Sequence, residues 1–240
     1  MDTDLDALLR SLRVWDPEVT RLPAFDPGEA PADPLDLFTA WFAQAVAAGE
    51  PEPHTMSLAT ADAGGDPDVR VVMLHGADAR GWAFATHAGS RKGRQLAARP
   101  HAALLFYWPV LGRQVRVRGP VTTAPRAEAR TDLHARSTGA LAAALTGAQS
   151  ELLGSLGELD RASAAAWQRA EAAPDTDAPS WTLYRLRPDE VEFFQGDARR
   201  RHVRLRYRAR AEQEGREERA GQGGQEGREE RGWVRELLWP

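Results

Sequence analysis

Two short stretches of this chain gather side chains able to do chemistry. The first is Gly89-Ser90-Arg91-Lys92, where a strand-like pattern gives way to a helical one. Ser90 is a good N-cap, and SRKGRQLAARP reads as a helix stopped by Pro100. A helix N-terminus carries unpaired N–H groups and the positive end of the dipole. Cations in that first turn are locally unfavourable, and a bound anion offsets their cost while using the same donors. The chemistry on offer is phosphate binding, and the alternative is a solvated basic helix start. The second stretch is Arg199-Arg200-Arg201-His202, whose plain reading is a solvated patch at a strand entry.

Other chemistries are excluded. The 240 residues contain no cysteine, which removes disulfides, thiol catalysis and cysteine metal sites. The six histidines show no HExxH spacing, so a metal site is unsupported. Gly64-Gly65 lies between two strand patterns rather than between strand and helix, so no dinucleotide fingerprint is present. A net charge of −4 gives no electrostatic reason for a nucleic-acid partner. No apolar run approaches 20 residues and no signal-like segment opens the chain, so a soluble cytoplasmic protein away from membranes is expected.

The elements that must position these residues follow from periodicity. Asp2–Trp15 has Leu5, Leu8, Leu9 and Leu12 at helical spacing, and residues 16–34 read as an extended Pro/Asp/Gly-rich arm. Pro34–Ala48 is an amphipathic helix with an apolar face of Leu35, Leu37, Phe38, Trp41, Phe42 and Val46. Thr55–Ala61 and Val69–Leu74 form a hairpin, GADAR is a turn, and Gly81–His87 is the next strand. HAALLFYW, residues 101–108, reads as a buried strand. Gln114–Thr122 alternates, with Gln114, Arg116 and Arg118 on one face. Pro125–Ser137, Leu141–Gln149 and Ser155–Ala173 look helical, with breaks at Gly139 and Gly147. Trp181–Arg187, Glu190–Gln195 and His202–Ala209 read as strands, and Trp233–Trp239 closes a barrel. EGREER occurs at 214–219 and again at 226–231, within a low-complexity insert over 213–232 that is expected to be a disordered hairpin expansion. The division is an N-terminal helix and arm over 1–32 and one domain over 33–240.

RVVMLH, THAGSRKGRQL, FYW and LGRQVRVRG, followed by FFQG, RRRHVRLRY and a C-terminal Trp…Leu-x-Pro, resemble the pyridoxamine 5'-phosphate oxidase family. The resemblance spans roughly Asp33 to Pro240 apart from the insert. It implies a fold that is mainly β with flanking α-helices: an FMN-binding split β-barrel, homodimeric, with FMN at the interface. It also implies that Arg91 and Lys92 hold the FMN phosphate, helped by Arg70, Val71 and Thr86. Gln114 and Phe194 lie against the flavin, and Gln149, Ser150 and Arg204 reach it from the second chain. Arg200 and His202 match the family's substrate-lining Arg-x-His and are the candidate catalytic pair.

The family's substrate-phosphate positions read here as His75, Asp132, Arg136 and Ala140, where the family has Lys, Tyr, Arg and Ser. His75 and Arg136 remain candidate substrate contacts, while Asp132 would repel a phosphate. THAGSRKGRQL is also more similar to the phenazine-biosynthesis branch of the family than to its vitamin B6 branch. The resemblance thus implies an FMN-dependent oxidase using O2, with pyridoxamine or pyridoxine 5'-phosphate as substrate. The rivals are a paralogue oxidising a phenazine-like or other secondary-metabolite ring, and a protein that binds FMN or pyridoxal phosphate without turnover.

Overall fold

The computed structural model describes residues 4–13, 15–210 and 232–240. The insert expected over 213–232 therefore lies almost wholly outside the described residues. The strands that flank it, β9 (Val203–Ala209) and β10 (Trp233–Leu238), pair antiparallel from Trp233 opposite Ala209 to Leu238 opposite Arg204.

The core forms around one helix. α2 (Pro34–Ala47) starts where the Asp33 carboxylate accepts the Leu35 N–H at 2.8 Å, with Pro34 in the first turn. Leu37, Phe38, Trp41 and Ala45 are buried at helical spacing. Phe38 meets Trp82 on β4 (Gly81–His87) and Phe106 on β5 (His101–Trp108), with ring centroids 5.6 and 5.0 Å away. Trp41 packs edge-on to Phe193 of β8 (Glu190–Gln195) at 5.2 Å. The helix thus plugs the space between two sheets. Arg113 seals its far end, its guanidinium 4.2 Å over Trp41 and bonded to Gln44 and Gln195. Burial pulls the Arg113 pKa down to about 10, so it is still charged at neutral pH.

The larger sheet runs β10-β9-β8-β6-β5-β1-β2, entirely antiparallel, where β1 is Thr55–Ala61, β2 is Pro67–Met73 and β6 is Arg113–Thr123. β6 belongs to two sheets. Its first half pairs with β5 and β8, and Val121–Thr123 pairs with β7 (Trp181–Leu186). β7 pairs in turn with β4, and β4 with the short β3 (Gly76–Asp78). Gly119 sits at the transition, where a Cβ would stand 2.1 Å from the Arg187 carbonyl oxygen.

Several expectations need correction. β10 pairs only with β9, so it ends the sheet opposite β2 and closes nothing; the result is a half-barrel. β5 is buried on one face only, and Tyr107 is 55% exposed. Part of the GADAR turn is strand β3, held by β4. Gly139 breaks no helix, because it lies in the first turn of α5 (Thr138–Thr146), after α4 (Arg126–His134). α5 stops at Gly147, whose φ of +67° is left-handed, so Gln149 and Ser150 lie beyond it. α6 spans Leu156–Ala172 behind an N-cap at Ser155. Among the described residues no helix is long and apolar enough to cross a membrane.

Candidate functional site

The site begins at the junction of β4 with α3 (Arg91–Ala98). Ser90 caps the helix: its Oγ accepts the Gly93 N–H at 3.2 Å and donates to the His87 carbonyl at 2.7 Å. Gly93 lets the helix lie against the chain before it, since a Cβ would meet the Ala88 oxygen at 2.3 Å. The first turn of α3 is thereby fixed beside the end of β4.

Two residues from the turn after α5 meet that first turn. The Gln149 amide oxygen accepts from the Thr86 hydroxyl at 2.9 Å and from Lys92 Nζ at 3.1 Å. Ser150 Oγ accepts the Arg91 N–H at 3.2 Å. Ala148 and Ser150 hold φ of +39° and +74°, conformations that L-residues adopt at a cost and that cluster where function fixes a side chain. The resemblance assigns Gln149 and Ser150 to the flavin of the second chain. Here they sit on α3 of their own chain, because the turn after Gly147 returns to it.

Lys92 is 8% exposed. Burial lowers its pKa, and the neighbouring Arg70 guanidinium lowers it further, with Asp68 opposing. Arg70 projects from β2 into the interior. It donates to Thr60 Oγ1 at 2.6 Å, to the Leu58 carbonyl at 3.2 Å and to Gln95 Oε1 at 3.0 Å, and pairs with Asp68 at 2.7 Å. The Arg91 side chain is exposed, with Nε 3.8 Å from Asp68. Val71 does not join this group, because its side chain lies on the opposite face of β2 and is 68% exposed.

A second group lies on the outer face of the large sheet. Gln114, Phe194 and Arg204 stand directly opposite one another across β6, β8 and β9. They line an open cavity of about 310 Å³ with Leu105, Arg116, Glu192 and Pro240. The buried Glu192 carboxylate holds Arg204 at 2.7 Å and also pairs with Arg116. Arg204 donates to the Trp239 carbonyl at 2.9 Å, which ties the C-terminus to the cavity.

His202 stands behind the cavity-lining Phe194. Its ring is 5.1 Å from Phe194 and 5.7 Å from Trp15 of the N-terminal arm. Its Nδ1 accepts the Asp197 N–H at 3.0 Å, so the neutral ring carries its hydrogen on Nε2. Arg200 is exposed in the same loop with φ of +65°.

His75 and Arg136 are brought together by the residue that was expected to oppose an anion. Asp132 lies 2.7 Å from His75 Nδ1 and 2.9 Å from an Arg136 guanidinium nitrogen. Burial alone would raise this carboxyl, but the bonds and charges of His75 and Arg136 hold it below the usual carboxylate range. His75 reaches toward the α3 start through Trp181 and His87, with ring centroids 6.5 Å and then 5.4 Å apart.

The candidate residues therefore form two groups on opposite sides of one sheet. Arg70 is paired with Leu58, which is fully buried, and directly opposed residues share a face. Gln114 is paired with the exposed Tyr107. Thr60, Gln95, Glu192 and Trp15 were not foreseen, since their parts depend on strand pairing and chain return. Lys92 carried an unused signal: it is the only lysine in the sequence.

An antiparallel half-barrel with a cationic helix start inside and a polar-aromatic cavity outside defines a split barrel of the flavin-binding class. A family model described as pyridoxamine 5'-phosphate oxidase matches residues 42–195. One described as pyridoxine 5'-phosphate oxidase C-terminal dimerisation region matches residues 181–240. A pyridoxine/pyridoxamine 5'-phosphate oxidase from Salinispora arenicola is 45% identical over 173 residues, covering 72% of this chain and 78% of the relative. One from Rubrobacter xylanophilus is 42% identical over 190 residues, covering 79% and 87%. Among solved structures, PhzG from Burkholderia lata 383 in complex with tetrahydrophenazine-1-carboxylic acid superposes with a TM-score of 0.79. It is 28% identical, covering 91% of this chain and 99% of that one. An FMN-binding protein from Nostoc punctiforme shares the fold, with a TM-score of 0.63 at 18% identity over 88% of this chain and all of that one. The chain belongs to the pyridoxamine 5'-phosphate oxidase family, a family of flavin oxidoreductases.

Proposed function

We propose that the protein is a homodimeric, FMN-dependent oxidase that uses O2 to convert pyridoxamine or pyridoxine 5'-phosphate to pyridoxal 5'-phosphate. The observation that carries this reading is the donor set at the start of α3. A buried ammonium, a hydroxyl and the first N–H groups of a helix converge there, with the Arg70 guanidinium close by. Arg70, Arg91 and Lys92 share one carboxylate, Asp68, so the group keeps a net positive charge, and burial of Lys92 makes that charge costly. A phosphate dianion would correct both, so the residues fit the phosphate of FMN.

In this reading Thr86, Arg91, Lys92, Gln149 and Ser150 of one chain hold that phosphate, with Arg70 behind them. Gln114, Phe194 and Arg204 face the flavin ring from the second chain. The sheet stands between the two groups within one chain, so one ligand spans both only when a second copy turns its outer face to the α3 start. The matched dimerisation region contains Phe194 and Arg204 and supports this arrangement. The chemistry FMN supplies when bound is acceptance of a hydride and reoxidation by O2. His202 would orient the substrate through Nε2, its other nitrogen being engaged by Asp197. Arg200 would cover the substrate ring, and His75 and Arg136 would face its phosphate.

One observation favours a second reading. Asp132 already satisfies both His75 and Arg136, which leaves less cationic character for a substrate phosphate. A paralogue acting on an unphosphorylated, phenazine-like ring would suit that closed group, and the likeness to PhzG agrees with it. Anaerobic mixing of the FMN-loaded protein with pyridoxamine 5'-phosphate separates the two. Rapid flavin bleaching, with recovery and peroxide on admitting air, is expected. A protein that stays yellow with the B6 phosphates but bleaches with a reduced phenazine-like compound would overturn the first reading in favour of the second.

A further inference from the structure

Two rows of leucine are exposed in this chain, and neither is covered by the chain's own described residues. The first is on α1 (Leu5–Ser11), where Leu5, Leu8, Leu9 and Leu12 follow helical spacing and are all half or more exposed. The second is Leu152, Leu153, Leu156 and Leu159, which runs from the turn after Ser150 into the head of α6; the first three are half or more exposed and Leu159 is 42% exposed. A seven-residue helix is marginal in water without packing. An apolar row of this kind marks a contact surface.

Each row is tied to a different half of the site. α1 is tethered by Trp15, whose indole lies against His202 and close to Gly112 and Gly196, at the outer-face cavity. From there the helix reaches roughly 20 Å, counting its own length and the few residues between. The second row begins two residues after Ser150, which is bonded to Arg91 at the α3 start. Within one chain these halves lie on opposite faces of the sheet. In the proposed dimer the outer face of one copy meets the α3 start of the other, which brings the two rows to one rim. Charge agrees with the match: Arg10 is in the last turn of the helix and Arg13 just beyond it, while Glu151 precedes the second row and Glu158 lies within it.

We propose that α1 of each subunit docks through its leucines on the Leu152–Leu159 row of the partner, clasping the dimer beside each composite site. This rests on the dimer reading above.

The absence of cysteine makes the test clean. Leu8→Cys and Leu156→Cys are combined in one FMN-loaded protein and treated with a short bismaleimide; Leu5→Cys with Leu152→Cys covers a shifted register. A covalent dimer on a denaturing gel, formed only when both substitutions are present, is expected. Sedimentation of the same samples reads the dimer independently. An intact dimer that gives no cross-link, or only one within a single chain, overturns the clasp and leaves the dimer standing. A monomer overturns both. As a second readout, Leu152→Asp with Leu156→Asp should speed tryptic cleavage after Arg10 and Arg13 about tenfold; an unchanged rate in a sedimenting dimer also overturns the clasp.

Discussion

At the scale of single residues, Asp132 shows how a side chain mismatched to an expected ligand can suit its neighbours. Placed next to an expected phosphate it would repel; placed between His75 and Arg136 it pairs with both. Its carboxyl is held below the usual range in the folded state, so ionised Asp132 stabilises the fold at neutral pH. That contribution is full above the unfolded value of about 4 and is lost as pH falls through the lower folded value. Asp132→Asn should therefore cost about 1–3 kcal/mol at pH 7. The gap to the parent should narrow in urea denaturation as pH falls below about 4, and a gap constant with pH would show that Asp132 acts by shape alone. The resemblance implied that His75, Asp132 and Arg136 share one pocket, but that His75 and Asp132 pair with each other across 57 positions was not legible. The α3 start was legible, because capping is local: Ser90 and the basic pair after it state where the helix begins. Lys92 was legible from its place in that first turn; its being the one lysine among 31 Lys and Arg side chains was a further signal left unused, and the structure sets it under cover beside Arg70. What could not be read was that Gln149 and Ser150 return to their own chain. That depends on the left-handed turn after Gly147, where Ala148 and Ser150 take conformations that local preference disfavours.

At the scale of elements, the strands were legible wherever one face meets the core, since alternation then follows directly from burial. Thr55–Ala61, buried at every second residue, is β1 residue for residue; Gly81–His87 and Glu190–Gln195 also match β4 and β8, although both are buried along nearly their whole length. β5 misled, because a run of eight apolar and aromatic residues resembles a strand covered on both faces. Its outer face carries Leu105 at the rim of the cavity and Tyr107 opposite Gln114. The sharing of β6 between two sheets was also beyond the local pattern, since a strand's partners are chosen at long range. The hinge of that sharing is Gly119, clamped between two main-chain bonds: Arg187 N–H to the Pro120 oxygen and Asp189 N–H to the Arg118 oxygen, both 2.9 Å. An added Cβ would strike backbone on both sides, 2.1 Å from the Arg187 oxygen and 2.9 Å from the Asp189 nitrogen. Gly119→Ala should cost about 3 kcal/mol, or roughly 10 °C in Tm for a chain of this size. Gly76→Ala, whose Cβ would meet nothing within 4 Å, is the matched control and should leave Tm nearly unchanged. Equal losses in the two variants would mean that Gly119 is not the hinge.

At the scale of the whole molecule, the feature that organises everything is a sheet used on both faces. Its inner face and the α3 start beside it gather cations, and its outer face gathers Gln114, Phe194 and a carboxylate-held Arg204. A two-fold assembly presents the same patch on both copies. Each copy can therefore give its outer face to the other's cations, making two equal composite sites. The half-barrel that leaves β2 and β10 as edges also leaves this face open, with Val69, Val71 and Met73 exposed along β2. Their exposure side by side on one strand is what a covering partner would explain. The arrangement makes a quantitative prediction. Lys92→Met and Arg204→Ala damage opposite halves, so each alone should weaken flavin binding about 10–100-fold, the worth of a charge-assisted bond. In a mixed dimer one site carries both lesions and the other carries neither. Equal co-expression makes half of all dimers mixed, so about one quarter of sites should bind flavin normally. Flavin absorbance per chain measures this, with folding of each variant checked by circular dichroism. If the two halves served one ligand within a single chain, every chain in the mixture would carry a lesion, and no normal sites would return.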